Sequence, residues 1–149
     1  MKQHFKSLRN QQLANSIQPF LQAKGSPRPQ KGWLRAIREA SGVTLQELAK
    51  RLHRANSVVA HLETSEAEYR ITLGKLREAA DALGCQLVYA LVPKNGSIQD
   101  LAEARARSKA TENVRAVEHS MALEDQAVGN VEEKIKDEAQ RLLKKNRGK

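Results

Sequence analysis

The sequence predicts a mostly α-helical chain that has a four-helix core, one β-strand and helical extensions at both ends. Three observations favour this fold class. Aromatic residues make up only 3% of the 149 residues, which disfavours a sheet-rich core. Four short amphipathic patterns follow one another over residues 33–84, each with the spacing of a helix that buries one face. A single run, residues 86–92, is apolar and β-branched on both faces.

Length and charge narrow the class of protein. The chain is long enough for one core with appendages. Lys and Arg number 26 against 17 acidic residues, a net charge of +9. Most of this excess lies in residues 1–43, with a net charge of +7, whereas residues 44–93 are neutral and residues 94–149 carry +2. A positive region suits a polyanion such as nucleic acid, although a charge of this size also serves solubility alone.

The cysteine content and the apolar runs indicate a soluble, cytoplasmic protein. Cys85 is the only cysteine, which excludes internal disulfides and thiolate-rich zinc sites and favours a reducing compartment. The longest apolar run has six residues, 87–92, and is too short to cross a bilayer. The first twelve residues contain no apolar signal core.

The first 31 residues are expected to form a helix followed by a basic linker. Leu8, Leu13 and Ile17 recur at a loose helical spacing. Residues 25–32, GSPRPQKG, combine two prolines and two glycines with basic residues, a composition that disfavours regular structure. We therefore place the first segment boundary after residue 31.

The core helices have recognisable start and stop signals. Gly42 ends the first helix. Thr44 precedes the second helix and Glu47 follows three residues later, which is the arrangement of a capping box. The third helix begins near residue 56. Thr72 caps the fourth helix and Gly84 ends it.

Residues 86–92 are interpreted as a strand that dimerises the chain and completes a domain of residues 32–93. A lone strand cannot satisfy its own backbone N–H and C=O groups, and pairing with the same strand of a second copy across a two-fold axis would do so. A short buried helix, or pairing with the N-terminal arm, are the alternatives. The predicted dimerisation residues are Leu87, Val88, Tyr89, Ala90, Leu91 and Val92.

Residues 94–149 are expected to form a C-terminal helical extension. Ser97 with Asp100, and Asn130 with Glu133, have the spacing of helix caps. An amphipathic stripe follows the second cap. The extension is too polar to form a core alone, so we expect it to pack on the dimer or on a partner.

The second and third core helices carry the functional argument. Residues 44–63, TLQELAKRLHRANSVVAHLE, place a short helix, a tight turn and another helix in order, which is the pattern of a helix-turn-helix DNA-binding unit. Ala49 is small enough to let the two helices approach. The outward side chains of the third helix are short hydrogen-bonding or small apolar groups that suit base edges in the major groove. The predicted base contacts are Asn56, Ser57, Ala60 and His61.

Basic residues and one cap residue around this unit are predicted to contact phosphates, which positions a protein on DNA without reading its sequence. They are Arg35, Arg38, Thr44, Lys50, Arg54 and Arg70, with Arg28 and Lys31 in the linker. The basic linker is a candidate for the minor groove. For any single one of these residues, a solvated surface charge is the simpler alternative.

Residues 32–84 resemble the Cro/repressor-type (xenobiotic-response-element-like, XRE-like) helix-turn-helix family in their four-helix order, ELAKRL and the closing HLE. A longer resemblance, from about Leu8 to Val128, is to the family named mobile mystery protein A. It is carried by LRNQQL, GWLRAIREASGVTLQELAKRL, ITLGKLREAADALGCQLVYALVP and HSMALEDQAV. Members are helix-turn-helix proteins that are typically encoded beside a Fic-domain protein. The resemblance therefore implies a regulator that binds double-stranded DNA, a repressor of its own operon with a Fic-type partner, and the strand at residues 86–92 predicts that it acts as a homodimer.

The chain departs from the wider helix-turn-helix pattern at three positions. His53 stands where a turn glycine is usual, and Ala55 stands where a serine often precedes the recognition helix. Leu45 stands where many relatives have a glutamine that touches phosphate. The loss of a capping side chain costs about 1 kcal/mol, and Asn56 is the alternative cap.

No catalytic constellation is found in the sequence, so we expect no enzymatic activity, no cofactor and no metal. The four histidines lack zinc-ligand spacing, and there is no phosphate-cradling glycine loop. Cys85 is more simply a small buried residue than a nucleophile.

The resemblance also implies an alternative function, an antitoxin-like module that binds and inhibits a Fic-domain AMP-transferase. Fic enzymes are inhibited by a helix that carries Ser/Thr-x-x-x-Glu-Gly/Asn, whose glutamate pairs with an active-site arginine. Ser108 and Glu112 belong to a full match, SKATEN, and Ser120 and Glu124 to a partial one, SMALED. A motif of three fixed positions also matches by chance.

Overall fold

Every regular element among the described residues is a helix. A computed structural model describes residues 2–123 and 129–148, with side chains for residues 8–123 and 129–146. The seven helices of these residues are α1 (Lys2–Leu21), α2 (Trp33–Ala40), α3 (Leu45–Arg51), α4 (Asn56–Ala67), α5 (Leu73–Ala82), α6 (Ile98–Leu123) and α7 (Val131–Gly148). The predicted mostly helical class is confirmed. Among the described helices, none combines the length and the apolar character that crossing a membrane requires.

The helices form two compact units. Gly25–Ala90 make one unit, here called the central unit, which contains α2 to α5. The residues up to Lys24 and those from Leu91 onward make the other, here called the flanking unit, which contains α1, α6 and α7. The basic linker of residues 25–31 therefore lies in the central unit.

The predicted caps are present. Thr44 Oγ1 accepts from the Glu47 amide at 3.1 Å, and Glu47 Oε2 accepts from the Thr44 amide at 2.7 Å, so both halves of the capping box form. The bond from the Thr44 amide, and then that from its hydroxyl, lower the pKa of the Glu47 carboxyl. Thr72 Oγ1 accepts from the Lys75 amide at the start of α5.

The core of the central unit lies where α3 and α4 cross. Leu48 and Val59 are the largest fully buried side chains, and Ala49 between them allows close approach of the two helices. The other buried members of this core are Leu34, Leu52 and Ala79. The apolar stripes read from the sequence thus face one another.

The predicted dimerising strand is not supported. Residues 86–92 have neither helix nor strand, and no strand occurs in the described ranges of the chain. Val88, Tyr89 and Leu91 are 64%, 59% and 90% exposed, so the run is not buried on both faces. The physical reason is that a strand exists only through a ladder of hydrogen bonds with a neighbour, and no other described segment of the chain supplies one.

The flanking unit forms a small core of its own. The C-terminal helices are expected from the sequence to pack on the dimer or on a partner, and they pack on one another. Ala110 and Val114 of α6 pack with Ile135 of α7. Ile17 of α1 is buried, and α1 contacts both α6 and α7. Short side chains on α6 keep this core small. The predicted Ser97 cap of α6 is present, with Ser97 Oγ accepting from the Asp100 amide at 3.1 Å.

Candidate nucleic-acid interface

A tight turn joins α3 to α4. The Arg54 amide donates to the Ala49 carbonyl at 3.0 Å and the His53 amide donates to the Lys50 carbonyl at 3.1 Å, the two bonds of a Schellman motif. His53 has φ 52°, the left-handed conformation that glycine usually provides. The histidine therefore replaces the usual glycine without changing the turn, at a cost in backbone strain.

Helix α4 begins without a side-chain cap. Ala55 occupies the N-cap position with φ −71° and ψ 151°, and it has no side-chain oxygen to accept from the first turn. Asn56 is the first helical residue, so it is not the alternative cap. The Asn56 and Ser57 side chains are exposed and form no hydrogen bond within the described chain. Both therefore remain available to a ligand.

The predicted base-contact residues lie together on the first two turns of α4. Asn56, Ser57 and His61 are exposed and Ala60 is half-buried. His61 Nε2 lies 3.3 Å from Ser65 Oγ, a contact that orients the imidazole along the helix. Three exposed polar side chains and one half-buried methyl group thus lie next to one another on α4.

Two exposed polar residues of the helix-turn-helix are not among the predicted contacts. Thr64 is exposed one turn beyond Ala60 on α4, and Gln46 is exposed on the first turn of α3. The signal for Thr64 was present in the sequence, since positions 57, 60 and 64 share one helical face. Gln46 directly follows Leu45, which packs against the core and cannot itself reach a phosphate.

Two of the exposed cations near the turn, Lys50 and Arg54, are predicted phosphate contacts. Lys50 has no hydrogen bond or ion pair with any described residue. Arg54 is exposed, and its guanidinium only approaches Glu78, at 4.0 Å. These two side chains keep the chemistry expected of phosphate contacts.

Three other predicted phosphate contacts are already engaged within the central unit. The Thr44 hydroxyl belongs to the capping box. Arg35 Nε donates to Glu39 Oε1 at 2.8 Å, and Arg70 forms an ion pair with Glu68. Both arginines are solvent-accessible, so phosphate would have to compete with a carboxylate for them.

Arg38, another predicted phosphate contact, is held inside the central unit by a carboxylate, and its contact with phosphate stays a prediction. Its Nε and Nη2 donate to the two carboxylate oxygens of Glu63 at 2.5 and 3.1 Å. The two side chains are only 12% and 8% exposed. The hydrogen bond to Glu63 is the main reason that the pKa of Arg38 is raised. Glu63 faces inward from α4, and a buried carboxylate needs a cation beside it.

The linker residues behave differently from one another. Lys31 is exposed, whereas Arg28 lies against the C-terminal end of α4 and donates to its carbonyls. Arg28 is therefore held against α4 inside the central unit, and the minor-groove role of the linker stays a prediction.

The residues of the alternative function lie in the flanking unit. Ser108 and Glu112 are exposed on α6, and Glu112 lies 3.7 Å from Lys109. Ser120 Oγ donates to the Ala116 carbonyl at 3.2 Å, and Glu124 lies outside the described residues. Across the residues searched, no group of His, Cys, Asp and Glu side chains could hold a metal ion.

The comparison with protein families agrees with this geometry. Residues 34–90 match the family model described as helix-turn-helix. They form an XRE-type helix-turn-helix domain, the domain class of DNA-binding regulators. A search of curated proteins and a search of solved structures gave no match. The family match does not reach the N-terminal and C-terminal segments that carry the longer resemblance.

Restoring the missing cap should stabilise α4. We expect Ala55→Ser to raise the free energy of unfolding of the central unit by about 1 kcal/mol, because the backbone at Ala55 already has N-cap dihedrals. Denaturant titration monitored by the fluorescence of Trp33, the single tryptophan of the sequence, measures this change. Ala55→Val is the matched control, since valine adds bulk without an acceptor. Equal stability changes in both variants would contradict the capping explanation.

Proposed function

We propose that the chain is a sequence-specific DNA-binding transcriptional regulator that has no enzymatic activity and reads base edges with the start of α4. One observation carries the proposal: α4 has one face held in the core and another that is polar and open to solvent. Val59 and Glu63 lie on the buried face, and Asn56, Ser57 and His61 are exposed. An α-helix fits the major groove of B-DNA, where each base pair presents a distinct set of donors and acceptors.

The four proposed base-contact residues differ in what they could recognise. Asn56 can form a bidentate pair with adenine, and the methyl group of Ala60 can contact a thymine methyl. Ser57 and His61 can donate to or accept from several bases. Lys50 and Arg54, at the end of α3 and in the turn, would contact the flanking phosphates.

A repressor mechanism follows most simply from such a domain. A regulator that covers a promoter excludes polymerase by occupying its place, and no further chemistry is needed. The resemblance to proteins encoded beside a Fic-domain protein supports the upstream region of the chain's own operon as the site. Repression of that operon is therefore part of the proposal.

Gel-shift titration on the chain's own upstream DNA tests this function. We expect Asn56→Ala and His61→Ala each to reduce discrimination between the specific site and a scrambled duplex by about 1–3 kcal/mol. Lys50→Ala should weaken binding to both duplexes about equally and lower the slope of log K against log salt by ~1. Arg105→Ala, an exposed charge of the flanking unit, is the control. Equal losses on both duplexes from Asn56→Ala and His61→Ala would contradict base reading.

We further propose that the regulator acts as a homodimer. Helix-turn-helix proteins commonly bind two half-sites about 34 Å apart, which requires two reading helices. The apolar side chains of Val88 and Tyr89 are exposed at the end of the central unit, where contact with a second copy would remove them from water. The support is this exposure together with the geometry of the domain class.

Sedimentation equilibrium tests the dimer. We expect Val88→Asp to weaken self-association at least tenfold, because a carboxylate in an apolar contact must be desolvated. Leu73→Asp is the control, since Leu73 is also exposed in the central unit but lies at the start of α5. Wild-type protein that stays monomeric at concentrations that saturate DNA would exclude the homodimer.

A second candidate function is inhibition of a Fic-domain AMP-transferase. The favouring observation is that Ser108 and Glu112 lie one turn apart on the exposed surface of α6. A carboxylate in this position can hold a partner's arginine bidentately and repel a nucleotide phosphate. Asn113, the last residue of the motif, is fixed by donation to Glu138 at 3.1 Å.

AMP transfer by the neighbouring Fic-domain protein tests this candidate. Wild-type chain should suppress transfer, and Glu112→Ala should relieve the suppression at least tenfold if this glutamate replaces the phosphate. Glu124→Ala tests the second motif, and Glu103→Ala, another exposed glutamate of α6, is the control. Equal transfer rates with wild type, Glu112→Ala and Glu124→Ala would exclude this function.

A further inference from the structure

Arg28 of the linker caps the C-terminal end of the proposed DNA-reading helix. Its Nη1 donates to the Glu66 carbonyl at 3.0 Å, and its Nη2 donates to the Ala67 carbonyl at 2.5 Å. Both carbonyls belong to the last turn of α4. The Glu66 carbonyl also accepts from the Tyr69 amide, whereas the Ala67 carbonyl has Arg28 as its donor among the described residues. A cation at this end is also favoured by the helix dipole.

The Arg28 guanidinium also contacts Tyr69, the second residue after α4. Tyr69 has φ 59°, a left-handed conformation that is uncommon for a residue other than glycine. Its amide donates to the Glu66 carbonyl at 3.1 Å, and the Arg70 amide donates to the Ser65 carbonyl at 2.8 Å, so the helix ends in a Schellman motif. Arg28 lies 3.8 Å from the centre of the Tyr69 ring, at the distance of a cation–π contact.

Glu66 connects this end of α4 to the start of α2. Its side chain is 4% exposed, and its two carboxylate oxygens lie near Arg28 Nη1, at 3.5 Å, and the Leu34 amide, at 3.4 Å. Gly32, with φ 83° and ψ 166°, has a backbone conformation that is essentially limited to glycine. A Cβ atom there would lie 1.9 Å from Glu66 Oε2. The linker, α2 and α4 thus meet on one buried carboxylate.

We propose that Arg28 is a positioning residue for DNA recognition, which fixes the orientation of α4 from its C-terminal end. The inference rests on the proposed function. The opposite end of α4 has no side-chain cap, since Ala55 occupies that position. The direction of the exposed first turns therefore depends on the contacts further along the helix, and Arg28 supplies three of them.

This role differs from a phosphate contact in what it predicts. A phosphate contact needs only a positive charge, which lysine also provides. The arrangement around Arg28 needs two donors aimed at two carbonyls and a planar group over a ring, which lysine does not provide. A positioning residue affects binding to the correct sequence, whereas a phosphate contact affects every sequence about equally.

The test compares full-chain variants on the chain's own upstream DNA and on a scrambled duplex. We expect Arg28→Ala and Arg28→Lys both to lower affinity for the specific site about tenfold, with affinity for the scrambled duplex and the salt slope unchanged. Arg105→Ala, the loss of an exposed arginine of the flanking unit, is the matched control. Hydrogen exchange at the amides of residues 66–70 should accelerate in both Arg28 variants and not in Arg105→Ala.

A second pair of variants isolates the ring contact. Tyr69→Phe retains the ring and should match wild type. Tyr69→Asn removes the ring with a residue that tolerates the left-handed conformation, and it should lower specific affinity about threefold. If Arg28→Ala unfolds the central unit, the specific affinities of Tyr69→Phe and Tyr69→Asn test the positioning role in its place.

Two results would overturn the inference. Recovery of specific affinity in Arg28→Lys, with a salt slope lowered by ~1 in Arg28→Ala, would make Arg28 a phosphate contact. Wild-type discrimination in Arg28→Ala and Tyr69→Asn would exclude the positioning role and leave the proposed function intact. If wild-type chain discriminates no site, the proposed function fails and this inference fails with it.

Discussion

The buried ion pair between Arg38 and Glu63 is the interaction that holds the inner face of α4 in the central unit. Glu63 brings a carboxylate into the core from the inner face of α4, and Arg38 of α2 meets both of its oxygens. Removal of either partner would leave a buried charge alone, which costs about 3–5 kcal/mol. The same arginine also donates to the Val43 carbonyl between α2 and α3. One side chain therefore joins α2 to α4 and to the loop that precedes α3.

The ends of α4 receive little stabilisation from the residues next to them in the sequence, so the helix depends on contacts with other elements. The residue before the helix, Ala55, offers no capping oxygen, and His53 and Tyr69 on either side take left-handed conformations without being glycines. Each of these choices weakens the helix as an isolated segment. Contacts from α2 and from the linker compensate for them. The orientation of α4 is thus set by tertiary structure, and changes far from Asn56 in sequence can alter it.

The sequence predicted the parts of the fold that arise from local periodicity and capping. The Thr44 and Thr72 caps, and the facing stripes that contain Leu48 and Val59, follow from spacing within one or two helical turns. The pairing of Arg38 with Glu63, and of Arg28 with Glu66, spans 25 and 38 positions, and no local pattern encodes such contacts. The strand expected at residues 86–92 failed for a related reason, because an apolar run does not specify what it packs against.

Because such long-range pairs form, the net charge of a segment does not indicate which of its cations remain available to a phosphate. Counting Lys and Arg residues treats every positive charge as available, but a cation near a carboxylate in a folded unit is partly neutralised before any ligand arrives. Arg38 and Arg28 face Glu63 and Glu66 inside the central unit, whereas Lys50 forms no ion pair with a described carboxylate and Arg54 forms only a long one, 4.0 Å from Glu78. The positive field that DNA would encounter is therefore set by the cations that remain exposed after folding, and Lys50 and Arg54 are two of these, beside the exposed start of α4.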